Sequence, residues 1–62
     1  MDFAIGNSII ITGVKSKPSL NGQLGEIKDT KENGRYVIQL SHGSGPYSVN
    51  LKPENIRFAI YT

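Results

Sequence analysis

His42 is the single histidine of the chain, and imidazole is the side chain best suited to general acid–base work near neutral pH. It stands in the Gly-rich segment His42-Gly43-Ser44-Gly45-Pro46. No strand register read from the sequence sets a nucleophile beside it, and a triad also needs a carboxylate to orient the base. A solvated loop histidine is the plainer reading. The acids Asp2, Glu26, Asp29, Glu32 and Glu54 are scattered, without the spacing of an acid–base pair or a calcium loop. Cysteine is absent, which removes thiolate chemistry, and one histidine cannot complete a tetrahedral zinc set. Gly43 and Gly45 suggest a phosphate loop only loosely, because no helix follows and the Lys-Ser/Thr end is missing. The chain is expected to bind rather than catalyse, with no metal, no cofactor and no small-molecule substrate.

Two groups of residues suit binding. The first is the loop Lys15-Ser16-Lys17-Pro18 together with Lys28, Arg35 and Tyr47 on neighbouring strands. Cations beside an aromatic ring hold RNA through phosphate contact and base stacking. An ordinary solvated loop beside a core tyrosine explains the same residues. The second group is apolar and sits at the two ends: Phe3 and Ile5, then Phe58, Ile60 and Tyr61. A small domain has little interior in which to hide these, and an exposed apolar patch of some size marks an interface. The competing reading is that the two ends cover each other.

These side chains must be carried by short extended elements. Gly and Pro recur at short intervals, and no segment places apolar residues at helical spacing over a helical length. The first strand is expected over Asn7 to Val14, rich in β-branched residues, with Ile9 and Ile11 on one face and Ile10 and Thr12 on the other. Gly13 permits a bend. A loop from Lys15 to Gly22 follows, with Leu20 as a plug for one end of the core and Asn21-Gly22 as a turn in which both residues tolerate positive φ. The second strand covers Gln23 to Thr30, with Gly25 and Ile27 facing one way. Gly25 lacks a side chain where another backbone approaches closely. After the turn Lys31-Glu32-Asn33-Gly34, a strand from Arg35 to Ser41 alternates Tyr36, Ile38 and Leu40 with Arg35, Val37, Gln39 and Ser41. Tyr47 to Leu51 forms the fourth strand, and Ile56 to Ile60 the last. Between them Lys52-Pro53-Glu54-Asn55 reads as a single 3₁₀ turn, because Pro53 fixes φ and Asn55 hydrogen-bonds backbone there. The expected core is Ile9, Ile11, Val14, Leu20, Ile27, Tyr36, Ile38, Leu40, Val49, Leu51 and Ile56, with Ile10, Leu24 and Phe58 outward.

The chain has 62 residues, which bounds it to one domain over residues 1–62 with a thin core. Five short strands with one apolar face each fit a closed five-stranded barrel, because closure removes exposed edges. The formal net charge is +2, which permits an acidic partner without demanding one. The longest purely aliphatic run is Ile9-Ile10-Ile11, far short of the ~20 residues that span a bilayer. The start, Met1-Asp2-Phe3-Ala4-Ile5-Gly6, has no basic region ahead of an apolar stretch. With the lack of cysteine, this leads to the expectation of an intracellular protein, in cytoplasm or an organelle.

Four segments carry a resemblance: Ile11-Thr12-Gly13-Val14, Leu20-Asn21-Gly22-Gln23-Leu24-Gly25-Glu26-Ile27, Gly34-Arg35-Tyr36-Val37-Ile38-Gln39-Leu40 and Leu51-Lys52-Pro53-Glu54-Asn55-Ile56. Together they resemble an SH3-like small β-barrel module common in algae and other protists. Its marks are a Leu-Asn-Gly turn, a Gly-Arg-Tyr strand opening and a Lys-Pro-Glu-Asn-Leu close, with Ile56 standing here for the last leucine. The match runs from Ile9 to Ile56, with a less typical loop from Ser41 to Pro46. The resemblance implies an accessory module suited to interaction rather than catalysis. With the barrel, the surplus apolar ends and the lack of a catalytic set, this leads to the expectation of a non-catalytic protein-docking module, an accessory subunit of a larger assembly. At the level of fold it is also similar to KOW-type ribosomal and transcription-associated barrels and to small barrel subunits of photosynthetic complexes, so an RNA- or ribosome-associated role is the alternative expectation.

Overall fold

The computed structural model describes residues 3–40 and 47–59. Its strands are β1 (Ser8–Ile11), β2 (Leu24–Thr30), β3 (Tyr36–Leu40), β4 (Ser48–Leu51) and β5 (Ile56–Phe58). Two single-turn 3₁₀ elements interrupt them, η1 (Pro18–Leu20) and η2 (Pro53–Asn55). All pairings are antiparallel, in the order β4-β3-β2-β1-β5. The chain meanders from β1 to β4, and η2 then returns it so that β5 lies on the far side of β1.

The alternation expected of β2 holds: Gly25 and Ile27 are buried while Leu24, Glu26 and Lys28 are exposed. Ile9, Ile11, Val14, Leu20, Ile27, Ile38, Leu40, Leu51 and Ile56 form one buried cluster. Tyr36 and Val49, also expected in the core, are half-buried and pack against its rim. Val49 lies on β4, which has a sheet neighbour on one side only, and the Tyr36 ring turns toward Phe3. Gly25 sits opposite Ile9 on one side and Leu40 on the other. A Cβ there would come within 2.6 Å of Ile38 Cγ2 and 2.9 Å of the Gln39 carbonyl oxygen. The bare backbone at this point sets how closely β2 and β3 pack.

Several expectations need correction. Phe58 is expected outward and is indeed 38% exposed, but it does not share the face of Ile10 and Leu24. It is the cross-strand partner of Ile9 and stands two residues beyond buried Ile56 on the same strand, so period-two alternation sets it at the open rim of the core face. Its ring lies 4.6 Å from that of Phe3, which in turn meets the Tyr36 ring edge-on at 5.7 Å. Ile10 and Leu24 do face outward, paired with each other across β1 and β2. The first strand stops at Ile11 rather than Val14, because side-chain amides take over from the backbone ladder. Asn55 Nδ2 donates to the Thr12 carbonyl at 3.1 Å, and Asn21 grips Val14 at both its amide and its carbonyl. The 3₁₀ turn η1 was not foreseen within the loop. It turns Leu20 inward, where that side chain is buried.

The Asn21-Gly22 turn also differs from expectation. Asn21 has extended backbone, φ −63° and ψ 134°, and only Gly22 is left-handed, φ 87°. The Gln23 amide closes the turn on the Leu20 carbonyl at 3.1 Å. These angles describe a type II turn, which frees the Asn21 side chain for Val14. Finally, the expected closed cylinder is not completed by backbone pairing. Among the described residues no ladder joins β4 to β5, and the five-stranded sheet stays open between them. These two edge strands are only four and three residues long, and short edges offer little template for another chain. No helix among the described residues is long and apolar enough to cross a membrane.

Candidate basic groove

The fold brings three separate segments together around one concave surface. The chain after β1 supplies Gly13 to Ser16, the first residue before β3 supplies Arg35, and the β4–η2 corner supplies residues 50–52 with Glu54 and Asn55. The cavity between them holds about 470 Å³. A second cavity of about 450 Å³ adjoins it and shares Arg35, Lys52 and Glu54.

Each wall is fixed by short-range bonds. Asn21 accepts from the Val14 amide at 2.8 Å and donates to its carbonyl at 3.0 Å, so one side chain does the work of a neighbouring strand. Asn55 holds Thr12 twice, through its side-chain amide and through its carbonyl, which accepts from the Thr12 amide at 2.9 Å. Lys15 follows directly on this pinned stretch. Arg35 is set by the β2–β3 hairpin. Its carbonyl accepts from the Lys31 amide at 2.7 Å, and its own amide donates to Asn33 Oδ1 at 3.1 Å. Lys52 precedes Pro53, and the Lys52 carbonyl closes η2 by accepting from the Asn55 amide at 2.9 Å.

The groove is charged. Lys15, Arg35 and Lys52 line it against a single acid, Glu54. Over the whole chain there are seven basic and five acidic residues. Among the described residues the groove's own balance is three basic against one acidic. Among the described residues the one ion pair is Lys28–Glu26, 3.3 Å apart and half-exposed on the outer face. None of the three groove cations makes a side-chain hydrogen bond or ion pair among the described residues. Arg57, by contrast, spends its guanidinium on the carbonyls of Glu54 and Ile56.

The residues expected to act as one patch are divided. Lys15 and Arg35 line the groove. Lys17 instead donates to the Tyr47 hydroxyl at 2.8 Å. Its ammonium is 5.5 Å from the ring centroid. A hydroxyl oxygen already stands a ring radius and a C–O bond from that centroid, so the ammonium lies beyond the hydroxyl rather than over the ring face. The contact is a polar bond, with little cation–π character. Pro18 opens η1, and Lys28 lines a separate hollow with Glu26 and Gln39. Phe58 stacks on Phe3, which meets Tyr36, while staying 38% exposed. Of the apolar ends, Phe3 is thus half-buried against the opposite end, while Ile5 remains 62% exposed. His42, Gly43, Gly45, Ile60 and Tyr61 lie outside the described residues.

Sequence reasoning missed Lys52 as a binding candidate, because Lys-Pro-Glu-Asn read as a turn alone. The signal was present: a cation placed immediately before a turn is held at the corner, beside whatever segment that turn packs against. The chain matches no protein-family model and no curated protein.

Proposed function

We propose that this chain is a non-catalytic protein-docking module, an accessory part of a larger assembly, built as an SH3-like barrel of the protist type. The observation that carries the docking reading is the groove whose walls are pinned by Asn21 and Asn55 and whose three cations make no side-chain hydrogen bond or ion pair among the described residues. Binding surfaces gain from such preorganisation because little ordering remains to be done on association. Two features support the barrel. Leu51 and Ile56 come from strands at opposite edges of the sheet, about 19 Å apart if the sheet were flat, yet both sit in one buried cluster. Phe3 likewise touches rings from β3 and from β5.

The RNA- or ribosome-associated alternative shares the positive charge, but sequence-tolerant binding of single strands uses aromatic faces as stacking platforms. Among the described residues no aromatic side chain lines the groove, and the Tyr47 hydroxyl is engaged by Lys17.

The test is native co-purification of the tagged full chain beside the double variant Arg35→Glu/Lys52→Glu, with solution mass measured for both. The reading expects a partner retained by the wild-type chain and released by the groove variant. A partner held equally by both, or a monomer that retains none, overturns it.

A further inference from the structure

We infer that the groove receives an acidic peptide segment, whose carboxylates sit between Arg35 and Lys52 and, further along, at Lys15. The inference rests on the docking reading and narrows it to a partner chemistry. Four observations lead there. Among the described residues this one concavity gathers three cations against a single acid. Its three cations stand on three different backbone segments, each separately fixed by hydrogen bonds. Ser16 and Asn50 add neutral polar groups between the charges. The two adjoining cavities share Arg35 and Lys52 at their junction, which makes a track for an extended chain rather than a pit for one small ion.

Arginine favours a carboxylate because its planar fork matches two oxygens at once. Half-buried Arg35 is therefore the anchoring cation. Lys15 and Lys52 are exposed, so they act as point charges that steer and adjust. Glu54 decides between kinds of polyanion. It lines both cavities, and it repels a backbone that carries a charge at every unit. A peptide avoids that repulsion by placing a neutral residue beside Glu54. Among the described residues the same groove offers no ring on which a nucleobase stacks.

Fluorescence anisotropy with a fluorescein-labelled peptide of alternating glutamate and glycine tests this. The controls are the same peptide with glutamine for glutamate, and a labelled oligouridylate of equal charge. The expected result is binding of the glutamate peptide alone, weakening as salt rises. R35Q or K52Q should each weaken it about fivefold and the double variant by more than about tenfold, given exposed-to-half-buried ion pairs. K28Q removes the same charge outside the groove and should leave binding unchanged. Equal binding of the glutamine peptide overturns the inference. So does an equal loss in K28Q, or tighter binding of the oligouridylate, which favours a nucleic-acid partner. Thermal melts of each variant keep loss of fold separate from loss of binding. If native co-purification remains groove-dependent while the glutamate peptide fails, the acidic chemistry is wrong and the docking reading stands.

Discussion

Replacing Gly25 with alanine puts a methyl group where the sheet has no room for one. The added carbon would meet Ile38 Cγ2 at 2.6 Å and the Gln39 carbonyl oxygen at 2.9 Å. The side chain of Ile38 is fully buried and cannot swing away, and the carbonyl belongs to the ladder between β2 and β3. The backbone must therefore shift. Overpacking by one such carbon costs about 1–3 kcal/mol. Against it, alanine restricts the unfolded chain and returns about 0.4–1 kcal/mol. The net expectation is a loss of roughly 1–2 kcal/mol. For a domain of this size that lowers Tm by about 5–15 °C. Urea unfolding followed by tyrosine fluorescence, available because the chain has three tyrosines and no tryptophan, should show a lower midpoint and an unchanged slope. A second substitution separates the two contacts. Ile38→Leu moves the branch from Cβ to Cγ and removes the γ2 methyl, so Gly25→Ala should cost less in that background. A Gly25→Ala protein as stable as the parent would refute the claim that strand spacing at Gly25 is set by close approach. Equal cost in both Ile38 backgrounds would refute the assignment to Cγ2.

Three further outcomes follow from particular contacts. Asn21→Ala strips both partners from the part-buried Val14 backbone. Stability should fall by about 1–3 kcal/mol, and amide exchange at Val14 should quicken relative to Ile27. Gly22→Ala meets no neighbour but must hold φ 87°, so its cost of about 1–2 kcal/mol is purely conformational. Gly22→Asn should cost less in the same melt, since asparagine visits the left-handed region more readily. Lys28→Gln removes an exposed ion pair with Glu26 and should move the unfolding free energy by less than about 1 kcal/mol, with that small effect vanishing in high salt.

The strand faces were legible because period-two alternation is local. Ile9, Ile27, Ile38 and Leu51 could be assigned to one face without knowing which strands pair. The exposure of Phe58 was legible but its face was not read, although Ile56 two residues earlier implies it by alternation. Asn21 was readable as a turn residue, but its true role was not. The Gly22 neighbour suggested a turn in which both residues are left-handed, whereas the choice among turn types depends on what the freed side chain finds, and Val14 is seven residues away. Asn55 reaches further still, to Thr12 across 43 residues, and nothing in either segment alone signals that bond. The groove was half visible for the same reason. Lys15 and Arg35 stood out as cations, but Lys52 joins them only because the corner before η2 packs beside the chain leaving β1. Lys17 was grouped with them by its place in the loop, and Lys28 by its charge and a neighbouring strand, neither of which fixes a shared surface.

The contact of Phe3 with Phe58 has a consequence for how the domain is carried. Their ring centroids lie 4.6 Å apart, so the backbone at residues 3 and 58 is separated by no more than about two aromatic side chains. A host loop needs to part only slightly to accept such a unit, and its own strands or helices keep their spacing. Splicing residues 3–59 into an exposed loop of an unrelated carrier is therefore geometrically undemanding, with the groove held on a different set of segments from the splice point.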